Sequence, residues 1–316
     1  MNEQKKIKYP ERIHQIPVYL LRMLRLFVYQ SDWKVLPMAA LIGGLVAFVV
    51  GSRLYVSQEG TITGSFALSC VCIWNGCFNS IQIVCREREI LKREHRSGMH
   101  ISSYIIAQML YQMLLCLAQS LIITVVFCYA GVNFPTEGVV APYFLIDFVI
   151  SLFLITFAAD MMAMMISCIV HTTTTAMTVM PFLLIFQLVF SGAAFTLKGV
   201  SKQISNYTIS NGGIRCLASI GKYNDLISTT IWKSIVKYKD QIQQDGVKPL
   251  DIFVQTMKEK DQVLDFKMQA GKMNAEAIYD ATVSNITHNW LTLLGFALLF
   301  AFIGFVALKF IDRDKR

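Results

Sequence analysis

Long apolar stretches alternate with short charged ones along most of this 316-residue chain. Six runs meet or approach the ~20 residues that a helix needs to cross a hydrocarbon core of about 30 Å. They lie at about 34 to 56, 61 to 85, 103 to 131, 140 to 169, 174 to 196 and 289 to 310. The first is the shortest, with 18 uncharged residues between Lys34 and Arg53, and its Gly43-Gly44 pair offers close helix contact. Ahead of it, Pro17 to Val28 sets Leu20, Leu21, Leu24, Phe27 and Val28 at helical spacing, with Arg22 and Arg25 together on another face. That pattern predicts an amphipathic helix lying along the inner leaflet.

The polar links between the runs fix sidedness. Lys5, Lys6, Lys8, Arg12, Arg22 and Arg25 precede the first run, and five Lys/Arg crowd residues 86 to 96. Lys309, Arg313, Lys315 and Arg316 follow the last run, whereas the link at 132 to 139 has no basic residue. Both termini are therefore expected in the cytoplasm, with an even number of crossings. The stretch from Lys198 to His288 carries twelve Lys/Arg against nine Asp/Glu, yet must lie outside; a loop this long escapes the charge rule. Its first part, residues 204 to 226, is mildly apolar and interrupted by Gly212-Gly213, which predicts a re-entrant or surface-lying hairpin. Its second part, Thr229 to Thr282, reads as two helices broken near Gly246-Val247-Lys248-Pro249.

The expected fold is all-α and integral to the membrane. It divides into a tail and connecting helix (1–33), five spans (34–196), an external region (197–288) and a sixth span with its tail (289–316). Composition agrees, with 54% hydrophobic and 16% charged residues: too few charges to cover a soluble globule. The formal charge of +8 sits beside apolar runs and not along a recognition helix, so it implies topogenic and lipid contact and no nucleic acid. Seven of the eight cysteines fall in apolar segments, which gives no disulfide framework and no zinc spacing. The basic N-terminus runs into polar sequence, so no removable signal peptide is expected.

One charged segment stands out. Nothing charged lies between Glu59 and Arg86, and between Ser97 and Thr136 only His100 could carry a charge near neutrality, so REREILKREHRSG is wedged between two membrane-length runs. With its flanks it resembles the second span, coupling helix and third-span start of the G-subfamily (White type) ABC exporters. The matching positions are Asn75, Phe78, Glu87, Glu94, Gly98, Ser103 and Tyr104. Phe190-Ser191-Gly192 resembles the family's Phe-Ser-Gly element at the end of the fifth span, and the amphipathic helix corresponds to its connecting helix.

The resemblance implies a permease that docks an ABC ATPase on Arg86, Glu87, Arg88, Glu89, Lys92, Arg93, Glu94 and Gly98, with an Arg22–Glu87 pair to the connecting helix. It implies a substrate path lined by Asn75, Phe78, Ile81 and Gln82 from one protomer and by Pro181, Ile185, Leu188 and Val189 from a second, identical or not. Where the family carries two bulky leucines as an external plug, Ala193 and Ala194 stand here. Either that gate is wider, for a bulky lipid or peptide, or Phe195 closes it. No phosphate-binding G-x-x-x-x-G-K-[ST] loop is present: Cys216 and Phe266 stand where Gly221-Lys222 and Gly271-Lys272 would need their first glycine. No cofactor is expected in this chain, and ATP with Mg belongs to the partner ATPase. The separate-subunit arrangement points to a bacterial plasma membrane, although the sequons at Asn206 and Asn285 would count in a eukaryote.

Asp160 falls about eleven residues before His171, or about 16 Å along a helix, near the bilayer midplane. A carboxylate there implies a coupling proton, a cargo cation site or an interhelix hydrogen bond. Two other classes compete with a permease for an amphipathic substrate. One is an intramembrane enzyme built on Asp160, His171 or His288, which share neither depth nor motif. The other is a sensor or assembly subunit that binds a ligand or partner through the external helices.

Overall fold

The computed structural model describes residues 12–29, 32–195, 197–241 and 248–310. Basic residues 5 to 8 and 313 to 316, and the glycine break at Gly246-Val247, lie outside the described residues. Among the described residues thirteen α-helices follow one another, with two isolated bridges and no strand. α1 (Arg12–Tyr29) precedes α2 (Val35–Val50), α3 (Gln58–Ser80), α4 (Ile83–Arg96) and α5 (Ile101–Tyr129). Next come α6 (Phe144–Ile169), α7 (Thr173–Val189), α8 (Val200–Ser205) and α9 (Ile209–Ile220). The chain ends on α10 (Thr230–Tyr238), α11 (Pro249–Glu259), α12 (Val263–Met273) and α13 (Val283–Lys309). Among the described residues α3, running on into α4, together with α5, α6 and α13 is long and apolar enough to cross a membrane. The apolar helices α2 and α7 are shorter, at 16 and 17 residues. The fold is an all-α membrane fold.

The bundle is organised around α6, which packs along α13, α3 and α5 and is buried nearly end to end. α13 shows how sequence sets such packing. Ile286, Asn289, Leu293, Ala297, Ala301, Gly304 and Leu308 recur at three- and four-residue spacing on its buried side, while Leu291, Leu298 and Phe302 face outward. α2 lies against α5 on Ala39, Gly43 and Ala47, small residues four apart that let the helices approach closely. α3 lies close against α6 at Gly76, where an added Cβ would meet the Thr156 carbonyl oxygen and, at 2.8 Å, the Asp160 nitrogen.

The region expected outside departs from the sequence pattern in two places. Gly212-Gly213 does not interrupt a hairpin, because α9 runs through both glycines. Gly213 serves packing instead: a Cβ there would sit 2.6 Å from Ser69 Oγ and 3.0 Å from Ile155 Cδ1, since α9 is wedged between α3 and α6. The polar second part forms three helices where two were expected. The extra break comes at Asp261, whose φ of 51° is left-handed, and Gln262 N–H closes the turn onto Met257 O at 3.0 Å. Trp232, Phe253 and Phe266 join α10, α11 and α12 around a small aromatic core.

This unit of α10, α11 and α12 is tied to the N-terminal end of α3. Glu59 accepts hydrogen bonds from Ser228 Oγ (2.8 Å), Thr229 N (2.9 Å) and Oγ1 (3.1 Å), and Thr230 N (2.8 Å) and Oγ1 (2.7 Å). The carboxylate thus satisfies open N–H groups at the start of α10, where the helix dipole also favours negative charge. Beside it, Gln58 Nε2 donates to the carbonyls of Gly271 (2.9 Å) and Tyr223 (3.3 Å).

Candidate coupling element and transport cavity

The charged segment is helical from Ile83, after a two-residue elbow at Ile81-Gln82 that ends α3. The elbow is held from a distance: Ser167 Oγ accepts from Val84 N (3.1 Å) and Cys85 N (3.2 Å), two of the first open N–H groups of α4. Arg88 is buried and donates to the carbonyls of Cys168 (3.0 Å) and Val170 (3.1 Å), placing its cation on the C-terminal end of α6. α4 is therefore fastened to α6 along its inner side.

A second side of α4 meets α1. Arg22 Nη1 binds both oxygens of Glu94, at 3.0 and 3.2 Å, while its Nη2 lies 3.9 Å from Glu87. Glu94 is the primary partner of Arg22, and Glu87 the looser one. Tyr19 OH donates to Glu94 Oε2 at 3.2 Å, and burial together with that carboxylate pushes the Tyr19 phenol up to about 12, so it stays a donor at working pH. Gln15 Nε2 donates to Gly98 O (3.3 Å), and Gln15 Oε1 accepts from His100 N (3.0 Å). Gly98 carries a φ of 105°, which lets the chain turn from α4 into α5 without strain.

What α4 leaves exposed is one stripe of Arg86, Glu89, Ile90, Arg93 and Arg96, continued by Ser97 just past its end. Arg88 lies on the opposite, buried side, and Glu87 and Glu94 are half-covered toward α1. Lys92 is paired with Glu89 at 3.2 Å.

The sequence-predicted path residues are spread over three hollows that share Phe78. Between α3 and α7 lies an apolar chamber of about 370 Å³, lined by Ile73, Trp74, Phe78, Pro181, Ile185 and Leu188 among others. A shallower hollow of about 250 Å³ runs from Asn75 and Trp74 to Met38 and Ile42 of α2. At the inner end, Ile81 and Gln82 line a cavity of about 260 Å³ that reaches α1 and α5 and carries Arg86 and Glu87 on its rim. Val189 lines none of these three. Trp74 and Phe78 pack with ring centres 5.2 Å apart and are both nearly half exposed to the hollow side.

The apolar chamber is roofed by a polar lock that individual residue types did not disclose. Ser210 Oγ donates to Gln187 O at 2.5 Å, and Gln187 Oε1 accepts from Ser210 N at 3.2 Å. Asn211 Nδ2 donates to Ser191 O (3.0 Å) and Ser205 Oγ (2.9 Å), and Thr208 Oγ1 to Phe190 O (3.2 Å), so the Phe-Ser-Gly corner is pinned to α8 and α9. Gly192 turns this corner with a φ of 82°. Beyond it Ala194 and Phe195 are exposed and Ala193 partly so.

Asp160 lines none of the three hollows; it faces α3 and α5 in a fully buried polar cluster. Cys116 Sγ donates to its Oδ2 at 3.5 Å, and its Oδ1 has no hydrogen-bond partner among the described residues. Alongside, Asn79 and Gln119 exchange two amide hydrogen bonds of 2.9 and 3.0 Å, and Gln112 donates to Ser80 at 2.7 Å. Asp147 is also buried, but three backbone N–H groups, of Val139, Val140 and Ala141, close on its carboxylate at 2.8 to 3.0 Å. Among the described residues no three His, Cys, Asp or Glu side chains gather as a metal site.

An all-α membrane bundle with a charged helix fixed beneath its spans and an apolar chamber above it is the architecture of an ABC transporter permease. The chain belongs to the ABC-2 type transporter family, whose model matches residues 15–207, more than half of its length. The match covers α4, the chamber lining except Ser210, and the Phe-Ser-Gly corner, and the G-subfamily resemblance is consistent with it. No curated protein matches the chain at a significant level.

Proposed function

We propose that this chain is the permease subunit of an ATP-driven exporter that moves an amphipathic substrate by alternating access, with energy supplied by a separate ABC ATPase. The observation that carries this reading is the mounting of α4. Arg88 and Ser167 tie it to α6, Glu94 ties it to α1, and the stripe Glu89, Ile90, Arg93 and Ser97 remains free of the bundle. A push on that stripe would move α4, the inner end of α3 and the end of α6 as one piece. Exposed ion pairs across such a surface contribute only about 0.2 to 1 kcal/mol each, so they select a partner more than they hold it. Glu87 and Glu94 position α4 in this reading, while Gly98 shapes its exit. The ATPase partner binds ATP and Mg, this chain pairs with a second permease protomer, and the assembly sits in a plasma membrane with both termini inside.

The test is purification of the tagged chain from its own membranes, followed by ATP hydrolysis in the eluate. The reading expects Mg-dependent hydrolysis that rises with an amphipathic cargo and is lost in Arg93→Glu; equal hydrolysis from both forms would sink it. A second reading, a sensor or assembly subunit, draws on the direct tie between the external helices and α3 through Glu59. It expects an external ligand to alter hydrolysis with no cargo moved.

A further inference from the structure

The inner cavity and the apolar chamber are neighbours: Phe78 and Met177 line both. Their chemistries differ sharply. The upper chamber is bounded by Ile73, Met180, Pro181, Leu184 and Leu188, whereas the inner cavity offers Gln82, Arg86, Glu87 and Gln108 against a floor of Met23 and Phe27 from α1. The basic flanks place the inner cavity at the cytoplasmic leaflet and the chamber toward the outer one. From Phe78 to Cys70 the chamber wall on α3 runs eight residues, or about 12 Å.

The two charged residues that line the inner cavity are of opposite sign, Arg86 and Glu87. A head bearing one net charge would meet a like charge at this rim. A head carrying both signs can place its phosphate by Arg86 and its amine by Glu87, with the Gln82 amide beside them.

We propose that the two hollows hold a single molecule, an amphiphile with a zwitterionic phosphate–amine head in the inner cavity and its hydrocarbon chain in the chamber above Phe78. The proposal rests on the permease reading and specifies its cargo class. α1, lying in the inner leaflet, forms the cavity floor, so a lipid-derived amphiphile reaches the site sideways from that leaflet without crossing water.

Trp74 lines the chamber and reports on it directly. The full chain in nanodiscs is titrated with a lysophosphatidylcholine bearing a spin label on its chain, and quenching of Trp74 is read as the difference from Trp74→Phe. Saturable quenching is expected, and it should weaken about ten-fold in Arg86→Gln and in Glu87→Gln. Arg86 is exposed and takes no part in the Gln15, Tyr19 and Arg22 hydrogen bonds that join α1 to α4, so its variant decides the matter if Glu87→Gln folds poorly. An alkyl maltoside with the same labelled chain should quench about ten-fold more weakly, and free phosphocholine should not displace the lysolipid. Equal quenching by the maltoside, unchanged in Arg86→Gln, would overturn the zwitterionic site while leaving the permease reading in place. Displacement by phosphocholine alone would show a head site without the chain, and the single-molecule proposal fails. Absence of quenching by either amphiphile would overturn the proposal, and the permease reading is then judged by the hydrolysis test above.

Discussion

Glu94 and Arg93 are neighbours in sequence and opposites in surroundings. Glu94 receives Arg22 and Tyr19 and is half-buried against α1, whereas Arg93 belongs to the exposed stripe. Glu94→Ala should therefore lower the stability of the detergent-solubilised chain by about 1 to 2 kcal/mol, because two partners lose a charged acceptor and the pair is partly screened. Arg93→Glu should stay within about 0.5 kcal/mol of the parent. Thermal unfolding in one detergent checks both, and a larger loss for Arg93→Glu would contradict the assigned faces. Gly213→Val is a harsher change, since Ser69 and Ile155 already fill the space a side chain would need. Overpacking there should cost about 1 to 3 kcal/mol, visible as a lower melting temperature, and a neutral result would show that α9 is not wedged as described.

At the scale of elements, the tie at Glu59 makes the external helices an extension of α3. Glu59→Ala removes the acceptor of five hydrogen bonds at the start of α10. Hydrogen exchange should speed up across residues 228 to 238 and stay unchanged in the middle of α5; protection unaltered in α10 would mean that the aromatic core around Phe266 holds the unit without Glu59. Much of the element map was legible in the sequence because lipid demands long uncharged runs, and α5, α6 and α13 are such runs. The elbow at Ile81-Gln82 was not, for it lies in uncharged sequence and is set by Ser167, a residue of another helix. Gly212-Gly213 misled for a related reason: a glycine that permits close packing and one that breaks a helix look alike until the neighbour is known. The exposed stripe of α4 could be anticipated only as a charged set, because the burial of Arg88 depends on where α6 ends.

For the whole molecule, the position of α6 joins the parts. It contacts α3, α5, α9 and α13, receives α4 at its inner end and carries Asp160 at its middle. Asp160→Asn keeps the shape of the side chain and supplies the orphaned oxygen's position with an amide. If the carboxyl serves the contact between helices, transport by the variant should keep the parent's pH profile; a profile flattened by the substitution would instead make Asp160 a coupled proton site. The measurement that bears most directly on the permease reading is Mg-dependent ATP hydrolysis in complexes purified on the tagged chain, compared between the parent and an Ile90→Glu, Arg93→Glu double variant that still inserts and melts normally. Hydrolysis that is cargo-stimulated in the parent and absent from the double variant is the expected result. Equal, cargo-stimulated hydrolysis from both would contradict the exposed stripe of α4 as the place where ATP energy reaches this chain.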